Sequence, residues 1–317
     1  MNNQYLYNHR LISWYVCNED NLKKELFTYK QNKGDFSGEA LDILSLELKE
    51  FVKELKNCNK KKCIISCEHL SSYGLENKNV NKIKNVLGNY FRKIKIILYI
   101  RRPIDRSISA MNTRIIAGDS FDKPIIPQNL SPNRLIKIWA EIFGTENIIV
   151  RLFNKKDFIN NDLISDFCSH TEINLNNNFV FPDIENESLN LIQLKYLNFL
   201  NNKIPRFNNN EQEINPNSFA VKNFIKQNFK TSLKYLPTKE EFQRLEMKNE
   251  QNDDWIRQKF FPHKTSLWGN YEKGFRDNTN ELIDLSEEEL MLLDSVAFLF
   301  KNSLIKSRML NQLFPNS

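Results

Sequence analysis

The chain has 317 residues, of which 40% are hydrophobic and 12% aromatic, so it can bury a large core and is not a wholly disordered protein. Its formal net charge of +6 suits an anionic ligand but falls short of the basic surface of a nucleic-acid-binding protein. No apolar run reaches the ~18 residues of a membrane span, and the polar start MNNQYLYNHR lacks the features of a signal peptide. We therefore expect a cytoplasmic protein without a transmembrane segment.

The five cysteines do not follow a metal-binding pattern. Cys63 and Cys67 share one apolar run without CxxC spacing and without a matching histidine pair. Together with Cys17, Cys58 and Cys168 they are expected to be buried free thiols, and no metal site is predicted.

The first half of the chain alternates between helical and strand patterns. Residues 40–57 carry leucines and a phenylalanine at helical spacing and predict an amphipathic helix. The apolar run Cys63–Cys67 predicts a buried strand that ends at Glu68 and His69. A second helix is predicted over residues 77–91, and a second buried strand over residues 94–100.

The alternation continues beyond the second strand. A helix is predicted over residues 105–117, with Asp105 as N-cap and Gly118 as C-cap. Ser131 and Pro132 are typical of the start of the next helix, which ends at Gly144. The remaining predictions are a strand at 147–153, helices at 163–168, 190–201 and 284–312, and loops at 202–217 and 228–240. Residues 11–16, LISWYV, fit either a strand or a short helix.

Strands and helices that alternate at this spacing predict an α/β protein: a parallel sheet in three layers, flanked by helices, followed by a helical C-terminal part. In such sheets ligands bind beyond the carboxyl ends of the strands. Glu68, His69, Arg101 and Arg102 all follow predicted strands directly. We therefore expect these four side chains at the ligand-binding edge.

The stretch RRPIDRSIS at 101–109 favours an anion site. Arg101 leaves a strand, Pro103 forces an extended exit, and Ser109 lies in the first turns of the next helix. A helix start attracts anions, and arginine adds a permanently charged, bidentate donor. The alternative is that both arginines pair with surface carboxylates.

The same residues resemble the sulfotransferases that use 3′-phosphoadenosine 5′-phosphosulfate. In that family an RxP…S segment after a central strand holds the donor's 3′-phosphate, and Arg101 and Ser109 match it. Three further stretches resemble segments of bacterial carbohydrate sulfotransferase-like proteins and occur in the expected order. They are CIISCEHL, residues 135–167 and KFFPHKTSLWG. The resemblance covers residues 60–270.

The resemblance implies a P-loop nucleoside-triphosphate-hydrolase-like fold. It implies one domain over residues 1–317, with a core at 40–185 and a mostly helical portion at 186–317. The activity it implies is transfer of a sulfuryl group to a hydroxyl of a saccharide or glycolipid. That reaction releases adenosine 3′,5′-bisphosphate and requires no metal, and no nucleic-acid partner is expected.

Several other residues are candidates for this chemistry. Glu68 and His69 are the candidate bases for the acceptor hydroxyl, although a capping carboxylate and an ordinary polar histidine are the alternatives. His263 and Lys264 mix basic and aromatic neighbours and suit a nucleotide, unless those aromatic residues only anchor the loop. Arg151 either binds donor or acceptor or braces the sheet against Asp157.

One part of the family pattern is missing. Members of the family bind the 5′-phosphosulfate through a loop with a sequence such as KTGTT or KxGSS, and no such stretch occurs in this sequence. Either a preceding segment supplies it, which Asn8–His9–Arg10 favours by resemblance, or the protein is a diverged, inactive relative. The rival functions are a non-catalytic protein that binds a nucleotide or a partner, and a kinase, whose glycine-rich loop and magnesium carboxylates are not visible.

Overall fold

The structure is a computed structural model, and it describes residues 40–57, 62–73, 76–121, 132–176, 179, 188–207, 215–277 and 284–302. It is α/β and rich in helix, with a small parallel sheet. The strands are β1 (Ile96–Ile100) and β2 (Ile148–Leu152). The helices are α1 (Ala40–Asn57), α2 (Leu70–Tyr73), α3 (Asn77–Gly88), α4 (Pro103–Ile116), α5 (Asn133–Phe143), α6 (Leu163–Thr171), α7 (Leu191–Lys203), α8 (Pro216–Asn228), α9 (Lys239–Phe260) and α10 (Glu287–Lys301).

The chain forms two compact units that are interleaved in sequence. The first unit holds α1, α2, α3, α5 and both strands, and the second holds α4 and α6 to α10. The chain passes from the first unit to the second directly after each strand, at Arg101 and at Phe153. The single domain predicted for residues 1–317 stays a prediction.

The sheet of the first unit confirms two of the predicted strands. β1 and β2 pair in parallel, with Ile96 opposite Ile148 and Ile100 opposite Leu152. Helices α3 and α5 pack on each other, and their apolar residues recur at helical spacing, which is why one face of each is buried. In α5 the rings of Trp139 and Phe143 stack with their centroids 5.6 Å apart.

The predicted strand at Cys63–Cys67 is wrong. In the described part of the chain these residues belong to no strand or helix, and they lead into a turn at Glu68 and His69. Only Ile64 and Ile65 in the run are strong strand formers, and Ile64 is exposed. The prediction of buried thiols is wrong for Cys63, which is exposed, and for Cys67, which is half-buried, but it is confirmed for Cys168, which is a buried free thiol. Cys17 and Cys58 lie outside the described residues.

The core of the second unit forms around α7. Helices α4, α8 and α10 all pack against it, and their buried apolar side chains form one continuous cluster that includes Met111, Leu197, Ile225 and Val296. Helix α9 packs instead on α4, where Leu245 meets Ile104. Hydrophobic burial of this kind is the main term that holds such helices together.

The segment 261–276 folds back along α9. Near the start of α9, Arg276 forms a buried pair with Glu241. The ring of Tyr271 lies 4.8 Å from that of the adjacent residue Phe242, and towards the other end of the helix the Trp268 indole donates to Asp253. Since the segment is fastened near both ends of the helix, α9 and the segment form one structural element.

Some predictions fall outside the described residues, namely those for residues 11–16, Ser131 and residues 303–312. Helix α4 begins two residues earlier than predicted, at Pro103, a residue that suits the first position of a helix. Among the described helices, none is both long and apolar enough to cross a membrane.

Candidate anion-binding site

The structure brings Arg101 and Ser109 together. Arg101 Nη1 donates a hydrogen bond to Ser109 Oγ over 3.0 Å. The guanidinium carbon lies 4.0 Å from the centroid of the Phe153 ring, and Phe153 in turn packs edge-on against Phe158 at 5.5 Å. We call Arg101, Ser109 and Phe153 the Arg101 clamp. The guanidinium lies over the Phe153 ring, and its hydrogen bond to Ser109 restricts the orientation of the Arg101 side chain.

The start of α4 positions Ser109. Because the helix begins at Pro103 with Arg102 as N-cap, Ser109 lies two turns inside it. The predicted N-cap, Asp105, is wrong: it lies in the first turn, and its carboxylate accepts from Lys273 Nζ at 2.7 Å. A carboxylate there already occupies the positive end of the helix dipole. An anion would therefore contact the side chains of the clamp more than the helix backbone.

Arg101 is half-buried, and no carboxylate of the described residues forms an ion pair with it. Burial lowers the pKa of its guanidinium, and the charge of Asp105 opposes that shift. Within the described residues, none forms an ion pair with Arg101. A guanidinium has five N–H donors, of which Ser109 uses one. Within the described part of the chain, its positive charge therefore has no carboxylate to neutralise it, and only one of its donors is seen in a side-chain hydrogen bond.

Arg102 provides the contrast. Its Nε and Nη2 donate to the two carboxylate oxygens of Glu246 at 3.2 and 2.7 Å. Its guanidinium carbon also lies 4.8 Å from the Phe242 ring and 5.3 Å from the Tyr271 ring. The expected pairing with a carboxylate is thus found for Arg102, although the pair is largely buried. Arg102 joins α4 to α9 through this pair.

A buried carboxylate on α9 was missed by the sequence analysis. Asp253 is 8% exposed, and its Oδ2 accepts from Trp268 Nε1 at 2.6 Å. Burial raises the pKa of Asp253 to about 6, and nearby Glu246 adds to that shift, whereas the Trp268 hydrogen bond and Arg102 oppose it. The available signal was the spacing of Glu246, Asn249 and Asp253, which places three polar residues on one face of the helix.

The structure places His263 and Lys264 in the segment that folds back along α9. Lys264 Nζ lies 2.5 Å from Asp157 Oδ1, so its charge already has a partner. His263 is exposed, with its ring 6.5 Å from that of Phe261. Phe261 itself is buried, which supports the alternative that the aromatic residues anchor this loop. The predicted contact of His263 and Lys264 with a nucleotide stays a prediction.

Glu68, His69 and Arg151 belong to the first unit. Glu68 is exposed, and its carboxylate lies 3.7 Å from His69 Nε2. Arg151 lies on β2 opposite Tyr99 and is half-buried. Their roles as base and as substrate contact stay predictions, as does a cleft shared with Arg101.

No known protein family, no curated protein and no solved structure matches this chain. The resemblance to sulfotransferases therefore depends on the motifs quoted above and on the contacts of the Arg101 clamp. Within the described ranges, His, Cys, Asp and Glu side chains do not gather into a group of three that could hold a metal ion.

Proposed function

We propose that this chain is a sulfotransferase-like protein that binds the 3′-phosphate of an adenosine nucleotide through Arg101 and Ser109. The observation that carries the proposal is the 3.0 Å hydrogen bond between these two residues, on an arginine that has no carboxylate partner among the described residues. Two residues eight positions apart were expected to share one phosphate, and they are in direct contact.

The chemistry of the clamp suits a phosphate. A guanidinium binds phosphate oxygens through two parallel hydrogen bonds, and a serine hydroxyl that accepts from Arg101 still has its own proton to donate. Phosphate is also favoured because Arg101 is half-buried, and partial exclusion of water strengthens the attraction between opposite charges.

The finer parts of the proposal follow the resemblance. The fold would be the three-layer, P-loop-like sulfotransferase fold, and the donor would be 3′-phosphoadenosine 5′-phosphosulfate. The sulfuryl group would pass to a saccharide or glycolipid hydroxyl, with Glu68 or His69 as base. His263 and Lys264 would contact the nucleotide, and Arg151 the donor or the acceptor. Sulfuryl transfer resembles phosphoryl transfer, since both depend on in-line positioning and on positive charge near the leaving oxygen.

A protein that binds the nucleotide without turning it over is the second candidate. The sequence has no stretch of the KTGTT kind to contact the 5′-phosphosulfate. Such a protein would use the same Arg101 clamp, so binding and transfer have to be measured separately.

Isothermal calorimetry with adenosine 3′,5′-bisphosphate tests the clamp. Arg101→Ala should weaken binding by about 2 kcal/mol, the value of a charge-assisted hydrogen-bonded pair. Ser109→Ala should weaken it by about 1 kcal/mol, the value of a neutral hydrogen bond. Adenosine 5′-monophosphate should bind less well than the bisphosphate, because it lacks the clamped group.

Arg114→Ala is the matched control. Arg114 lies on α4, as Ser109 does, but it is exposed and pairs with Asp119, so its loss should leave the affinity unchanged. If Arg101→Ala and Arg114→Ala bind the bisphosphate equally well, the clamp does not hold the 3′-phosphate and the proposal fails.

A further inference from the structure

Helix α8 and the chain that follows it carry lysines but no acidic residue. Residues 215–238 contain neither aspartate nor glutamate, and their lysines recur every four residues, at Lys222, Lys226, Lys230 and Lys234. Within the ranges that the structure describes, none of the four forms an ion pair. Like charges one turn apart on a helix repel each other. An anionic partner from outside the chain would remove that repulsion.

An aromatic ring and two of these lysines lie along one side of α8. Phe219, Lys222 and Lys226 are three and four residues apart, so they follow one face of the helix. Phe219 is 57% exposed, and Lys222 Nζ lies 4.9 Å from the centroid of its ring. Lys226 is exposed, as is Lys230, which lies two residues beyond the end of α8. We call Phe219, Lys222, Lys226 and Lys230 the α8 ridge.

Arg206 adds a cation at the start of α8. Its carbonyl accepts from the backbone N–H of Asn215, the N-cap of α8, at 2.8 Å. Its Nη1 donates to the Ala117 carbonyl at 3.0 Å, and among the residues described it has no carboxylate partner. Burial lowers the pKa of Lys222, and the charges of Arg206 and Lys226 lower it further. These three cations are therefore close enough to act on one another.

The start of α7 holds the end of α8 in place. Asn190 Nδ2 donates to the Phe229 carbonyl at 2.8 Å, and Gln193 Nε2 donates to the Lys226 carbonyl at 3.0 Å. A backbone N–H of α7 also donates to the Leu233 carbonyl at 2.9 Å. Because α7 is the helix around which the core of the second unit forms, the ridge has a firm support. Little further ordering is then needed when a partner binds.

Exposed apolar side chains flank the lysines in the chain. Phe219 precedes them, and Leu233, which is 58% exposed, follows Lys230. Lysines beside exposed aromatic and aliphatic side chains are typical of surfaces that bind a lipid bilayer. The ammonium groups contact anionic headgroups, and the apolar groups enter the boundary of the acyl chains. Nucleic acid is the other polyanion to consider, but a leucine has no ring on which a base could stack.

We propose that the α8 ridge, together with Arg206 and Leu233, is a docking surface for an anionic lipid bilayer. The protein binds at the membrane surface through its lysines and through the side chains of Phe219 and Leu233, which insert among the lipids. This role goes beyond the proposed function and does not depend on it, because none of these residues belongs to the Arg101 clamp.

Vesicle sedimentation with the full chain tests the docking surface. The probes are phosphatidylcholine vesicles with and without about 30% phosphatidylserine, which supplies the negative surface charge. The wild type should bind the anionic vesicles and not the neutral ones. Binding should weaken at high salt, because the Debye length falls from about 10 Å at 0.1 M to about 3 Å at 1 M. One lysine near an anionic surface contributes about fivefold to binding. Lys226→Gln combined with Lys230→Gln should therefore bind about 25-fold more weakly.

The matched control combines Lys53→Gln with Lys156→Gln. It removes the same number of charges, but from exposed lysines that pair with Glu50 and Glu272, so its vesicle binding should stay within about twofold of the wild type. Phe219→Ser should weaken binding about tenfold, because it removes the apolar area that enters the bilayer. All of these changes are at exposed side chains, and circular dichroism checks that the variants are folded.

Equal vesicle binding by the two double variants would overturn the docking surface, and so would equal binding of the wild type to neutral and anionic vesicles. A mixed-sequence oligonucleotide is the competing probe. If it binds tightly through Lys226 and Lys230 while vesicles bind weakly, the ridge is a nucleic-acid surface and the membrane proposal fails. Unchanged vesicle affinity in Phe219→Ser would show that nothing inserts, which also contradicts bilayer docking.

Calorimetry with adenosine 3′,5′-bisphosphate keeps this test separate from that of the Arg101 clamp. The variant that combines Lys226→Gln with Lys230→Gln should bind the bisphosphate with the affinity of the wild type. A loss of affinity there would show that the ridge binds the nucleotide, and the membrane role would be wrong.

Discussion

Removing Glu246 should destabilise the second unit substantially. The Arg102 side chain is 11% exposed and that of Glu246 is 27% exposed, so Glu246→Ala leaves a largely buried guanidinium without its carboxylate. Breaking a buried pair in this way costs about 3–5 kcal/mol. Water can reach the Glu246 side of the pair, and Arg102 keeps its contacts with Phe242 and Tyr271. We therefore expect a loss of about 2–3 kcal/mol in the free energy of unfolding.

Urea unfolding followed by circular dichroism measures this loss. Glu246→Gln should lose about half as much as Glu246→Ala, because an amide oxygen still accepts one hydrogen bond from Arg102. The control is Glu250→Ala, one turn further along α9, where the side chain is exposed and the change should stay within about 0.5 kcal/mol. Equal stability of the Glu246→Ala and Glu250→Ala proteins would refute the claim that the buried pair fastens α4 to α9.

Three further predictions concern Asp253, Gly144 and turnover. The pKa of Asp253 is raised from 3.8 to about 6, so the folded state binds the extra proton and stability should fall as the pH rises from 4 to 6. At pH 7 the free energy of unfolding of Asp253→Asn should exceed that of the wild type by about 2–3 kcal/mol, and below pH 4 the two should be equal. Urea titrations across this pH range measure both values, and a difference that does not change with pH would contradict the prediction. Gly144 has a φ of 87°, which a residue with a Cβ rarely adopts, so Gly144→Ala should reduce the free energy of unfolding by about 1–3 kcal/mol and lower the melting temperature. Gly88→Ala, whose Cβ would meet nothing within 4 Å, should not. With labelled phosphosulfate donor and a saccharide panel, the chain should bind the bisphosphate but transfer little sulfate, since losing even one donor at the leaving oxygen costs a factor of about 100 to 1,000; rapid turnover would show that other residues make those contacts.

The sequence predicted the parts of the fold that depend on apolar periodicity. The strands at 94–100 and 147–153 and the helices before and after them have alternating or helical apolar patterns, and the structure has them within a few residues. The sequence also predicted Arg101 at a strand end and Ser109 in the first turns of the next helix. Their direct hydrogen bond is a finding of the structure, in which that helix begins at Pro103 and not at Asp105.

Helix α9 shows why the rest could not be predicted. Its buried positions include Glu241, Asn249 and Asp253 beside Leu245 and Ile256, so the helix has no continuous apolar stripe and its register cannot be read from hydrophobicity. The partners that make these polar residues acceptable inside the protein come from elsewhere in the chain. Arg102, for example, lies 144 residues from Glu246. The error at Cys63–Cys67 has the same origin, because a short apolar run forms a strand only where a neighbouring strand pairs with it.

The two consecutive arginines illustrate how one short stretch can serve both stability and binding. Arg102 is satisfied within the protein by Glu246 and by two aromatic rings, which fixes the start of α4 against α9. Arg101, one residue earlier, has an aromatic ring and a hydroxyl but no carboxylate among the described residues. Because the Glu246 carboxylate pairs with Arg102, the Arg101 guanidinium is held in place without an ion-pair partner among the described residues. An anion that binds Arg101 therefore meets a preorganised cation, and it does not have to displace an internal partner before it binds.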